Sequence, residues 1–90
     1  MTWFLYLLEC SDGSIYTGIT TDVDKRVAAH SNGKGARYTR SHPPRKVLAV
    51  FEYENRSAAS KAEHAMKLLS ASRKRAAAIR PTPDGPVRPA

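Results

Sequence analysis

Ninety residues make one small domain. At 41% hydrophobic and 26% charged, the chain reads as globular rather than disordered. Fifteen Lys and Arg against eight Asp and Glu give a formal net charge of +7, which points to a polyanionic partner, nucleic acid foremost, because neutralising phosphates releases counterions.

The single cysteine, Cys10, excludes an intramolecular disulfide, and it lies in an apolar run that suits a small core residue. No CxxC or HxxxH spacing offers a zinc site. The opening MTWFLYLLEC lacks a basic leader region, and its apolar stretch is too short for a bilayer. A reduced, cytoplasmic protein is expected.

In chain order, residues 2–10 carry Trp3, Phe4, Leu5, Tyr6, Leu7 and Leu8 in a row, the pattern of a strand covered on both faces. Asp12-Gly13 is a turn signal, and Ile15–Thr20 is rich in β-formers, so the two runs predict a hairpin. Each run holds a tyrosine, Tyr6 and Tyr16. A strict two-residue turn at Asp12-Gly13 pairs Tyr6 with Ile19 and sends the two phenols to opposite faces. If they share a site, the hairpin needs an odd loop or a bulge, such as a three-residue loop over Asp12-Gly13-Ser14. That irregularity is the expectation.

Thr21 or Asp22 caps a predicted helix over Val23–His30, with Asp24 favourably placed in its first turn. Val23, Arg26, Val27 and His30 share one stripe, in which Arg26 either snorkels or serves a site and His30 either fills the core or does the same. Ser31-Asn32-Gly33-Lys34-Gly35 ends the helix. Between residues 34 and 46 come five basic residues and no acid: Lys34, Arg37, Arg40, Arg45 and Lys46, interleaved with Tyr38 and Thr39. Pro43 and Pro44 are expected to forbid a regular element, so the segment reads as a basic loop fit for phosphate contacts and base packing.

Residues 47–53 predict a third strand with Val47, Ala49, Phe51 and Tyr53 on one apolar face. Ser57 is the expected cap of a second helix over 58–69, whose stripe is Ala59, Ala62, Met66 and Leu69. Glu63 sits at the margin of that stripe, roughly 40° from Ala59, and an i, i+4 ion pair with Lys67 is worth only about 0.3–0.5 kcal/mol. Ser72 is the expected cap of a short helix over Arg73–Ile79, whose Arg73, Lys74 and Arg75 oppose the dipole unless something anionic offsets them. The proline-rich residues 81–90 read as a disordered tail after a domain of residues 1–80. The order β-β-α-β-α-α implies an α/β (α+β) domain, a small three-stranded, mostly antiparallel sheet flanked by helices.

This constellation resembles the GIY-YIG nuclease domain over about residues 3–79. Leu5-Tyr6 stands for its first motif, after Phe4, and Tyr16-Thr17-Gly18 for its second. Arg26 and His30 follow on the next helix, and Glu63 on the later one. The short length and Gly35-Ala36-Arg37-Tyr38-Thr39-Arg40 resemble the compact single-domain branch. The resemblance implies a metal-dependent endonuclease acting on DNA, with RNA and branched or nicked structures as further substrates. It implies catalytic roles for Tyr6, Tyr16, Arg26, His30 and Glu63, and one Mg²⁺ or Mn²⁺ held by Glu63. The basic residues Lys34, Arg37, Arg40, Arg45, Lys46 and Lys67, with Tyr38 and Thr39, would bind nucleic acid, as a monomer or transient dimer. The family often has an asparagine after the metal-binding glutamate, whereas here none follows Asn55. That departure leaves a second reading, a nucleic-acid-binding module on the same fold without turnover.

Overall fold

A computed structural model describes residues 2–34 and 41–79. Their elements run β1 (Trp3–Cys10), β2 (Ile15–Thr20), α1 (Val23–Ser31), β3 (Pro44–Tyr53), α2 (Arg56–Lys67) and α3 (Ala71–Ile79). The sheet is antiparallel with order β2-β1-β3. Arg37, Tyr38, Thr39, Arg40 and the 81–90 tail lie outside the described residues.

The central strand is buried on both faces, as its continuous apolar run requires. Leu5 and Leu7 point to one side, where they join Ile15, Phe51 and Tyr53 beneath Ala59, Ala62 and Met66 of α2. Burying each large side chain in this layer contributes about 1.5–3 kcal/mol. Tyr6 and Leu8 point to the other side, because strand side chains alternate. Both are also buried there.

The hairpin carries the expected irregularity, one residue earlier than over Asp12-Gly13-Ser14. Its loop is Ser11-Asp12-Gly13: Gly13 N–H donates to the Cys10 carbonyl at 2.9 Å, and Cys10 N–H to the Ser14 carbonyl at 2.8 Å. Gly13 has φ +86°, the left-handed position of a type I turn closed by a bulge, which glycine adopts without strain. The Asp12 carboxylate secures the loop by accepting from the Ser14 amide at 3.0 Å and its hydroxyl at 2.6 Å. This odd loop pairs Leu8 with Tyr16 and Tyr6 with Gly18, so Tyr6 and Tyr16 share a face.

Asp22 is the α1 cap, accepting from Lys25 N–H. Past its end, Gly33 N–H donates to His30 and Lys34 N–H to Ala29, with Gly33 at φ +73°, the glycine-terminated ending that the sequence predicts.

Four expectations are corrected. Pro44 opens β3 rather than interrupting structure; it is the first residue of an edge strand, where a missing N–H costs no ladder bond. The β1–β3 register shifts between Leu7 and Leu8, so Leu48 is skipped and Val47 stands opposite Leu8, away from the α2 core and exposed. Asn55, not Ser57, caps α2, accepting from Ala58 N–H at 2.8 Å, and the helix ends at Lys67 rather than at residue 69. Ser70, not Ser72, starts α3, its hydroxyl accepting from Arg73 N–H at 3.2 Å.

The anionic offset for the basic start of α3 is internal. Arg75 pairs with the Glu9 carboxylate through Nη1 and donates from Nη2 to the Gly13 carbonyl at 2.7 Å, which clamps α3 to the hairpin. Arg45 approaches the same carboxylate at 3.8 Å.

Candidate active site

The site is built on the face of the sheet opposite the α2 core. Tyr6 of β1 and Tyr16 of β2 are diagonal neighbours, with ring centroids 6.2 Å apart. His30, from the last turn of α1, completes a triangle of rings, its centroid 5.9 Å from Tyr6 and 5.2 Å from Tyr16. The Tyr6 hydroxyl lies 2.8 Å from His30 Nε2. Tyr6 and His30 are each only 1% exposed, so this bond is sealed from water, whereas Tyr16 is half-buried.

Gly18 makes the arrangement possible. It stands directly opposite Tyr6, and a Cβ there would fall 2.5 Å from the phenol oxygen and 2.6 Å from Cζ. The ring crosses the space that any side chain would fill.

Electrostatics assign the protons. Burial, and then the neighbouring Tyr16, push the Tyr6 phenol up to about 12, against the opposite pull of Arg26. Burial, and then the charge of Arg26, hold the His30 imidazole below its ordinary value. At neutral pH the Tyr6 phenol is therefore protonated and the His30 imidazole neutral, and the hydrogen bond joins two uncharged groups. For Tyr6, desolvation outweighs the opposing pull of Arg26.

The other expected residues divide. Arg26, half-buried one helical turn before His30, acts on both Tyr6 and His30. Glu63, on α2, pushes the Tyr6 phenol upward, the smallest of the upward effects, and pairs with Lys67 at 3.5 Å. Lys67 borders a cavity together with Tyr16 and Thr17. Lys34 is exposed just beyond α1. Arg45 and Lys46 are strand residues of β3 rather than loop residues, set around Glu9, three positions along β1 from Tyr6. Lys74 escaped the sequence reading of the site, although it was visible as one of three consecutive basic residues; only the fold brings it to Ile15.

Among the described residues, no group of three or more His, Cys, Asp and Glu side chains is placed to hold a metal. A single carboxylate, Glu63, fits a hard cation that keeps most of its waters and draws other oxygens from a phosphate, as Mg²⁺ does, and does not fit zinc. No helix among the described residues is long and apolar enough to cross a membrane.

Comparison with known proteins agrees with this geometry. Residues 2–76 match the family model of the GIY-YIG catalytic domain. A UPF0213 protein of Cupriavidus necator is 57% identical over 74 residues, spanning 82% of this chain and 80% of the relative. The solution NMR structure of the UPF0213 protein BH0048 from Bacillus halodurans is similar with a TM-score of 0.51 at 44% identity, covering 82% of this chain and 79% of that one. That of the protein EF2693 from E. faecalis gives 0.59 at 38%, covering 84% and 81%. With most of its length matched and the two tyrosines, Arg26 and His30 gathered around one face of the sheet, the chain belongs to the GIY-YIG catalytic domain family.

Proposed function

We propose that this protein is a metal-dependent endonuclease that hydrolyses phosphodiester bonds of nucleic acid, DNA foremost, in DNA repair or nucleic-acid processing in the cytoplasm. The observation that carries the reading is the Tyr6–Tyr16–His30 cluster, beside Arg26, in a chain of the GIY-YIG catalytic domain family. The net charge of +7 supports a polyanionic substrate, bound by a monomer or transient dimer.

Hydrolysis forms a bond from a water oxygen to phosphorus and breaks one ester bond, whose oxygen leaves with a proton. Arg26 binds the scissile phosphate with its planar fork. Tyr16, the more accessible phenol, orients the attacking water. Tyr6 stays protonated and hydrogen-bonds to His30, which fixes the imidazole against the edge of Tyr16. Glu63 would hold one Mg²⁺ or Mn²⁺, which when bound neutralises charge growing on the phosphate oxygens. Lys34, Lys67, Arg45 and Lys46 contribute long-range attraction for the strand, Arg37 and Arg40 extend it, and Tyr38 and Thr39 add short-range nucleic-acid contacts.

The test is nicking of supercoiled plasmid with Mg²⁺ or Mn²⁺. Wild type converts plasmid to open circles, while Glu63→Ala binds duplex with near wild-type affinity and does not cut. Salt-sensitive binding without cleavage on every substrate would favour a binding module on the same fold.

A further inference from the structure

Beside Tyr16, at the β2 edge of the sheet, lies a cavity whose Thr17 and Lys74 the proposed chemistry does not use. The cavity, of about 350 Å³, is lined by Ile15, Tyr16, Thr17, Lys67 and Lys74, drawn from β2, α2 and α3. Lys74 is 9% exposed, and its Nζ donates to the Ile15 carbonyl at 3.2 Å. Among the described residues no carboxylate lies within ion-pair distance of it. Burial, and then the charge of Lys67, hold its ammonium below the ordinary lysine range. A buried cation facing another cation is unfavourable unless an anion completes the set.

Thr17 points to the same conclusion independently. It is 2% exposed, and its Oγ1 has no hydrogen-bond partner among the described residues. Buried hydroxyls are nearly always paired, so an orphan on a residue that borders a cavity leaves a donor for a ligand seated there. Two ammonium groups and a hydroxyl offer donors to the several oxygens of one tetrahedral anion. Lys67 already has Glu63 as a partner, so Lys74 and Thr17 are the members left to satisfy.

We propose that this cavity is a phosphate subsite, in which Lys74, Thr17 and Lys67 hold the backbone phosphate adjacent to the one presented to Tyr16. The inference rests on the nucleic-acid reading of the site and adds to it a fixed strand path along β2, away from Arg26.

The test is metal-free binding, read by fluorescence anisotropy of a labelled nicked duplex in EDTA, with backbone phosphates replaced one at a time by neutral methylphosphonates. In wild type, one replacement weakens binding about tenfold, the size of a charge-assisted hydrogen bond. Lys74→Gln weakens binding by a similar factor, becomes indifferent to that replacement, and lowers the log–log salt slope by about one. Lys74→Arg keeps the response. Thr17→Val, which leaves every charge in place, blunts it, and thermal melts establish that each variant is folded. If Lys74→Gln and Thr17→Val bind with wild-type affinity and still respond to every replacement, the subsite is wrong. If inorganic phosphate binds wild type and not Lys74→Gln while the methylphosphonate series stays flat, the cavity takes free phosphate rather than a strand, which also overturns the proposal. Failure of the nuclease reading shows separately, as no cleavage with metal while these binding arms are unchanged.

Discussion

Tyr6 and Gly18 face each other across β1 and β2, and the phenol lies over the glycine so closely that a Cβ would come within 2.5 Å of its oxygen. The second motif glycine is thus a space for the first motif tyrosine. Gly18→Ala must push a buried, hydrogen-bonded ring aside. The expected cost is about 1–3 kcal/mol, the range for overpacking a core. Denaturant unfolding measures it, and loss of the Tyr6–His30 contact in NMR spectra gives its cause. A variant as stable as wild type with that contact kept would contradict the finding.

The raised Tyr6 phenol predicts alkaline behaviour. Its folded value of about 12 lies above the ordinary 10.0, so the folded state resists losing this proton. Stability tied to Tyr6 is fully present below about pH 10 and is lost as pH rises toward 12. Tyrosinate absorbance should show a late phenol, and Tyr6→Phe should remove that step.

His30 acts at the acid end. Burial depresses its folded pKa, so the unfolded chain takes up a proton at about pH 6.5 while the folded chain does so only at lower pH. Stability should fall as pH drops below about 6.5. His30→Gln should flatten that slope in chemical denaturation at pH 5 to 7.

Much of this fold was legible in residue pattern. The hairpin, the α1 stripe with Arg26 and His30, and the apolar β3 follow from local chemistry, and parity alone required an odd loop if Tyr6 and Tyr16 were to meet. What escaped depends on long-range geometry. Leu48 bulges out of register with β1, a choice no alternation reveals. Asn55 and Ser70 displaced Ser57 and Ser72 as caps because the chain enters each helix earlier, and all four side chains can cap. Glu9 and Arg75 meet across 66 positions, and Lys74 reaches Ile15 across 59, separations over which spacing carries no information.

The Glu9–Arg75 pair makes its own prediction. The Arg75 hydrogen bond is the largest influence holding the Glu9 carboxyl below its ordinary range. The stabilisation is therefore present above the ordinary glutamate pKa and is lost as pH falls through the lower folded value. Arg75→Ala should lower the melting temperature and speed amide exchange first in α3 and the Ser11–Gly13 loop. Uniform exchange across the chain would show that the clamp holds nothing local.

Single-turnover cleavage of a labelled branched duplex with Mg²⁺ by wild type, Tyr16→Phe and Tyr6→Phe tests the central claim most directly. Wild type is predicted to cut. Tyr16→Phe should lose the chemical step, by 10²–10⁴-fold if its hydroxyl handles the water's proton, while binding is kept. Tyr6→Phe, which removes only a positioning hydroxyl, should lose less. Cleavage by Tyr16→Phe at the wild-type rate, or no cleavage by folded wild type on any nucleic acid, would contradict the account.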